Sequence, residues 1–134
     1  VLVVQGVFFA DGGLSALGLN LFNMAIVGTM GGYLVYRGIL ALLPKTRPFV
    51  LAAAGTAAGI SVVLAAFAFV LEYAIGGEGD ASIGAVAAAM GGVHALIGVG
   101  EGLITALVVG AVLGTRPDLV AGAPRPRVEA AARG

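Results

Sequence analysis

Long apolar runs separated by short polar hinges constrain this chain more than any other feature. Three of them, about residues 14–36, 49–75 and 83–114, each exceed the roughly 20 residues an α-helix needs to cross about 30 Å of hydrocarbon. Backbone groups in hydrocarbon must be paired within the segment, and the short alternating segments of a membrane β-barrel are absent, so helices are the expected state. The first run, residues 1–10, gives about 15 Å as a helix, half a span. It has no charged leader and no small-residue cleavage site, which excludes a signal peptide. It is expected to be the end of a span that begins before Val1, with a re-entrant segment as the alternative. Only 10% of the residues are charged and 60% are hydrophobic. A soluble domain carries about 25% charged residues, so the bilayer must be the solvent here. The expected fold is therefore an all-α, polytopic transmembrane bundle of three full spans plus a partial N-terminal one. Within the third run, residues 81–92 read as a tilted or interfacial lead-in to a main span over 93–114.

The charges sort by hinge. Arg37, Lys45 and Arg47 follow the first full span, and Arg116, Arg125, Arg127 and Arg133 follow the last. The other two hinges carry acids alone: Asp11 on one, and Glu72, Glu78 and Asp80 on the other. All seven basic residues thus fall on one side, which the positive-inside rule makes cytoplasmic, with the C-terminus inside. Tyr33, Tyr36 and Tyr73 fall near span ends, where aromatic anchors belong. Residues 120–134 are rich in Ala, Pro and Arg without an apolar face, and are expected to form a disordered cytoplasmic tail. The net charge is zero, which gives no reason to expect nucleic acid, and the absence of cysteine leaves nitrogen or oxygen donors for any metal.

Small residues recur at spacing four in Gly28–Gly32, Gly55–Gly59, Gly98–Gly102 and Gly110–Gly114, a pattern that lets helices approach closely. It serves packing within the bundle or docking of another membrane subunit, for which residues 52–59 are the best candidate. Polar groups inside the apolar runs say more. Asn20 and Asn23 lie about 60° apart on an α-helical wheel, and suit interhelical hydrogen bonds or support of a ligand site. His94 and Glu101 lie seven residues apart, on one face within about 20° and roughly 10 Å apart along the axis. Thr105 continues that strip. A carboxyl at the depth of Glu101 costs several kcal/mol unless paired, hydrated or protonated, so it is a functional candidate by default. The plain alternatives are a hydrogen bond from His94 to a neighbouring helix and a structural partner for Glu101. Asp11 with Gly12 and Gly13 is a turn that could also attract cations at the mouth.

Several stretches together resemble one family. Asp11-Gly12-Gly13-Leu14-Ser15-Ala16-Leu17-Gly18 leads into Asn20-Leu21-Phe22-Asn23-Met24, and Glu101-Gly102-Leu103-Ile104-Thr105-Ala106-Leu107 follows His94 in the last span. Their order and spacing resemble the CbiM/NikM substrate-binding subunits of cobalt and nickel energy-coupling-factor transporters, over nearly all of residues 1–119. The resemblance implies a seven-helix, multi-pass subunit of the cell membrane with a cytoplasmic C-terminus, and Co(2+) or Ni(2+) as transported substrate rather than prosthetic group. It implies partners: a transmembrane coupling subunit, cytoplasmic ATPase subunits and a small accessory membrane subunit. If the ion is cobalt, it implies a link to cobalamin biosynthesis. The family's metal site uses a Met-His start and a further histidine from the N-terminal half. No position here matches these, so the principal ligands are expected upstream of Val1. Asp11, Asn20, Asn23, His94 and Glu101 stand as supporting candidates.

The expectation is a binding subunit and not an enzyme. There is no G-x-x-x-x-G-K-[ST] loop to bind ATP. An intramembrane metalloenzyme is disfavoured because one histidine and a carboxylate do not complete a zinc site. An autonomous carrier or channel would call for a polar stripe on several helices, and the apolar runs carry one.

Overall fold

The computed structural model describes residues 2–9 and 16–124. Four helices follow one another: α1 (Leu2–Phe8), α2 (Leu17–Leu42), α3 (Arg47–Gly76) and α4 (Ile83–Thr115), with a 3-10 turn at Pro117–Leu119. The described residues contain no strand. The last three helices are 26, 30 and 33 residues long and apolar enough to cross a membrane. At 1.5 Å per residue even the shortest spans more than the ~30 Å hydrocarbon thickness. The architecture is the all-α polytopic bundle expected, with a partial helix before it.

At the basic end α2 and α3 extend beyond the apolar runs. α2 continues past Tyr36 to Leu42, so Arg37 belongs to a helix and not to the hinge. Its guanidinium lies 5.7 Å from the centre of the Tyr33 ring and donates to the Tyr33 hydroxyl at 3.3 Å. The contact turns the guanidinium back along the helix, where the ring face and hydroxyl of Tyr33 satisfy it while the backbone stays helical. α3 opens with Arg47 and Pro48, where proline's missing N–H costs no helical bond. At its other end α3 takes in Glu72, expected among the hinge acids. α4 is one continuous helix from Ile83, where a tilted lead-in before a separate span was expected. The Ser82 hydroxyl caps it by accepting from the Ala85 N–H at 3.2 Å. The Tyr73 hydroxyl closes the preceding hinge by donating to the Ala81 carbonyl at 3.0 Å.

α2 itself is not uniform. Leu17–Asn20 is α-helical, Leu21–Gly28 is wound as a π-helix, and Thr29–Leu42 is α-helical again. The Thr29 hydroxyl donates to the Met24 carbonyl, five residues back, at 3.2 Å. π-turns are rare and cluster at functional sites, because their wider winding re-aims side chains.

α3 is the central helix. It packs antiparallel on α4 along its length and on α2 over its second face, while α2 and α4 scarcely touch. Two glycine pairs set the closest approach. A methyl group added at Gly55 would lie 2.8 Å from the Gly102 carbonyl oxygen, and one at Gly59 would lie 2.8 Å from that of Gly98. The converse contacts are equally tight. Four residues forward on α3 are thus four back on α4, and the Arg47 side chain keeps this register by donating to the Gly110 carbonyl at 3.1 Å. The Ala-rich turns of residues 52–59 face inward: Ala53, Ala54 and Ala57 are buried beside fully buried Val50. Gly32 meets Ser61 of α3, so its spacing-four pair with Gly28 also packs inside the bundle.

Beyond α4 the chain folds back. The Tyr36 hydroxyl donates to the Ala121 carbonyl, and Gly122, at φ +80°, turns beside Leu40. That left-handed backbone favours glycine. The tail expected to be disordered from residue 120 therefore lies against α2 through residue 122, and residues 125–134 lie outside the described residues.

Candidate functional site

The polar side chains of the apolar runs converge where α2, α3 and α4 meet near the acidic end of the bundle. A cavity of about 330 Å³ is lined there by Asn20, Asn23, Met24 and Thr29 of α2, Ser61 and Phe69 of α3, and Met90 and His94 of α4. Its walls are mostly apolar, with few polar groups, as in small-ligand sites.

Asn23 is the anchor. It sits in the π-wound stretch, is 6% exposed, and donates from Nδ2 to Glu72 Oε2 at 2.8 Å, which ties α2 to α3. Its Oδ1 is buried and has no partner among the described residues. A buried acceptor left so costs free energy and marks a place for a donor, a water or a cation. His94 supplies a second acceptor. Its Nδ1 lies 2.8 Å from the Met90 carbonyl of its own helix. A carbonyl can only accept, so Nδ1 carries the proton, and Nε2 is the ring nitrogen left to face the cavity, an acceptor in that tautomer of the imidazole. The expected bond from His94 to a neighbouring helix is replaced by this bond, four residues back, which leaves the ring against the cavity. Amide oxygen, imidazole nitrogen and methionine sulfur around one space suit a borderline divalent ion or a donor-bearing group.

The structure thus brings together Asn20, Asn23 and His94. It does not bring Glu101 to them. Glu101 lies two turns further along α4, is exposed, and has no hydrogen bond or ion pair among the described residues. Asp11 lies outside the described residues. Among these no three His, Asp or Glu side chains come together as a metal-holding cluster. Sequence reasoning missed Glu72 as part of the site. The signal was available: the apolar run to residue 75 already takes that carboxyl inside the span.

This fold and this cavity define a polytopic helical membrane protein with a small acceptor-lined chamber between its spans. The chain belongs to the CbiM family, described as a cobalt uptake substrate-specific transmembrane region, whose model matches residues 1–119. It is 40% identical over 120 residues to a fused nickel transport protein NikMN of Archaeoglobus fulgidus, covering 90% of this chain and 39% of that protein. It is 37% identical over 120 residues to a metal transport protein of Haloquadratum walsbyi, covering 90% of this chain and 52% of that one. A cobalt transport protein CbiM of Methanocorpusculum labreanum is 29% identical over 125 residues, with 90% and 52% covered. The chain spans about half the length, or less, of these curated relatives. No solved structure matches it significantly.

Proposed function

We propose that this chain is part of the substrate-capturing membrane subunit of an ATP-driven importer of Co(2+) or Ni(2+). Its membership of the CbiM family over residues 1–119 carries the reading. The acceptor-lined chamber at the acidic end supports it, because acids at the mouth raise the local concentration of cations. In this reading the acidic end faces outward and the basic end, with Arg37, Lys45, Arg47 and Arg116, faces the cytoplasm of a cell-membrane protein. The subunit captures the ion, then reorients in the bilayer, and does no covalent chemistry. ATP hydrolysis belongs to cytoplasmic ATPase subunits, and a transmembrane coupling subunit and a small accessory membrane subunit complete the assembly. The principal ligands are supplied from outside these 134 residues. Asn20, Asn23 and His94 line the inner wall and bear on how far the ion enters. For a cobalt importer the ion would feed cobalamin biosynthesis.

Cells in which the gene is disrupted should accumulate less cobalt or nickel from sub-micromolar medium, and an intact copy should restore it. A hydrolysis-dead ATPase partner should reproduce the disruption. Uptake that continues unchanged with the ATPase inactive would sink the ATP-driven reading in favour of an autonomous carrier.

A further inference from the structure

Glu101 is the one ionisable side chain deep in the spans that has no partner among the described residues, and its surroundings say what must cover it. α2 and α4 both lean on α3 but scarcely meet, so a trough runs between them with α3 as its floor. Two cavities lie in a row along it, the one of about 330 Å³ near the acidic end and another of about 530 Å³ near the basic end. The floor is made of half-buried Ala58, Ser61 and Ala65, with buried Ala54, Ala57 and Ala66 beside them. Side chains this small admit the backbone of another helix. Along the α4 wall, His94 lines one cavity and Thr105 the other, and Glu101 falls between them on the same strip. Ile97 and Val108, 43% and 57% exposed, complete that strip at spacings of three and four.

Glu101 lies close to the middle of α4, where hydrocarbon is deepest. A carboxyl facing lipid at that depth is costly, and such groups face protein or a hydrated cavity. An apolar face alone would be satisfied by lipid, but one centred on a carboxyl without a partner is not. We infer that a further transmembrane helix lies in this trough, drawn from the part of the family's fold that these 134 residues do not span, and that it carries a hydrogen-bond donor (Arg, Lys, His, Asn or Ser) at the level of Glu101. The relatives supply the material, since this chain covers only 39% to 52% of their lengths. The opposite α4 face, with Leu96, Val99, Leu103 and Leu107 at 63% to 77% exposed and no polar side chain among them, is the lipid face.

The test places a photoactivatable benzophenone amino acid at Ile97 or Val108, and in separate variants at Val99 or Leu103, in protein produced from its own locus in host membranes. The expected result is a protein cross-link from 97 and 108 to a segment outside residues 1–134, with a donor side chain within one turn of the attachment point. Positions 99 and 103 should give lipid adducts. Glu101→Gln, which still accepts a hydrogen bond, should keep the cross-link, and Glu101→Leu should lose it. If Glu101→Leu fails to accumulate, replacing the cross-linked donor by Leu should cause the same loss. Lipid adducts from all four positions, a cross-link to a second copy of this chain, an attached helix without a donor, or an undiminished cross-link in Glu101→Leu would each overturn the proposal.

Discussion

One amide explains much of the site. Asn23 uses its Nδ2 to hold α2 against Glu72 of α3 and leaves its Oδ1 without a partner in a buried place. Removing the carboxyl orphans both ends of that amide, so Glu72→Ala should destabilise the bundle by about 1–2 kcal/mol. Glu78→Ala, in the exposed hinge nearby, should be close to neutral when both are unfolded in mixed micelles and followed by circular dichroism. At the other end of the bundle, Arg116 and Asp118 form a bidentate pair at 3.0 and 2.8 Å on the turn after α4. The hydrogen bond from Arg116 lowers the pKa of Asp118 below its ordinary value. The sign follows: the pair persists as pH falls from 7 through the ordinary aspartate range, and opens only below it. Both side chains are solvated, so salt should weaken the pair. A carbon-detected NMR titration should find the Asp118 midpoint higher in Arg116→Ala and higher in strong salt.

At the scale of elements, the α3–α4 contact depends on glycine. The pairs Gly55–Gly102 and Gly59–Gly98 bring the two backbones so close that a single methyl group would meet a carbonyl oxygen. A carbonyl cannot swing away as a side chain can. Gly59→Ala should therefore force the helices apart and cost about 1–3 kcal/mol by the same unfolding measurement. Gly100→Ala, with nothing within 4 Å of the added methyl, should be neutral or slightly stabilising. The three spans and the glycine spacings were legible from hydropathy and period alone, because length and small-residue recurrence are local properties. The helix ends were not, since Arg37, Arg47 and Glu72 look like hinge residues until their partners Tyr33, Gly110 and Asn23 are known. Nor was the π-wound stretch at Leu21–Gly28, where ordinary α-periodicity misplaces Asn20 relative to Asn23. Its winding is maintained by a backbone ladder and the Thr29 hydroxyl, which no apolar pattern records.

At the scale of the molecule, three spans built around α3 form an open half-shell, with an acceptor-lined chamber near the acidic end and an unfilled trough beside Glu101. Asn20, Asn23 and His94 stood out in the sequence as polar residues in apolar runs, and the fold gathers them. Glu101 stood out for the same reason and is left apart, because wheel angle places a residue on a face but does not say what covers that face. The central claim is that such a half-shell belongs to a metal importer energised by ATPase partners. The most direct test is radioactive cobalt and nickel uptake into proteoliposomes carrying the complete transporter, with ATP supplied only on the face where the ATPases sit. The account predicts accumulation of one or both ions that requires ATP and stops with a non-hydrolysable analogue. Equal accumulation without ATP, or none with it from a correctly assembled complex, would contradict it.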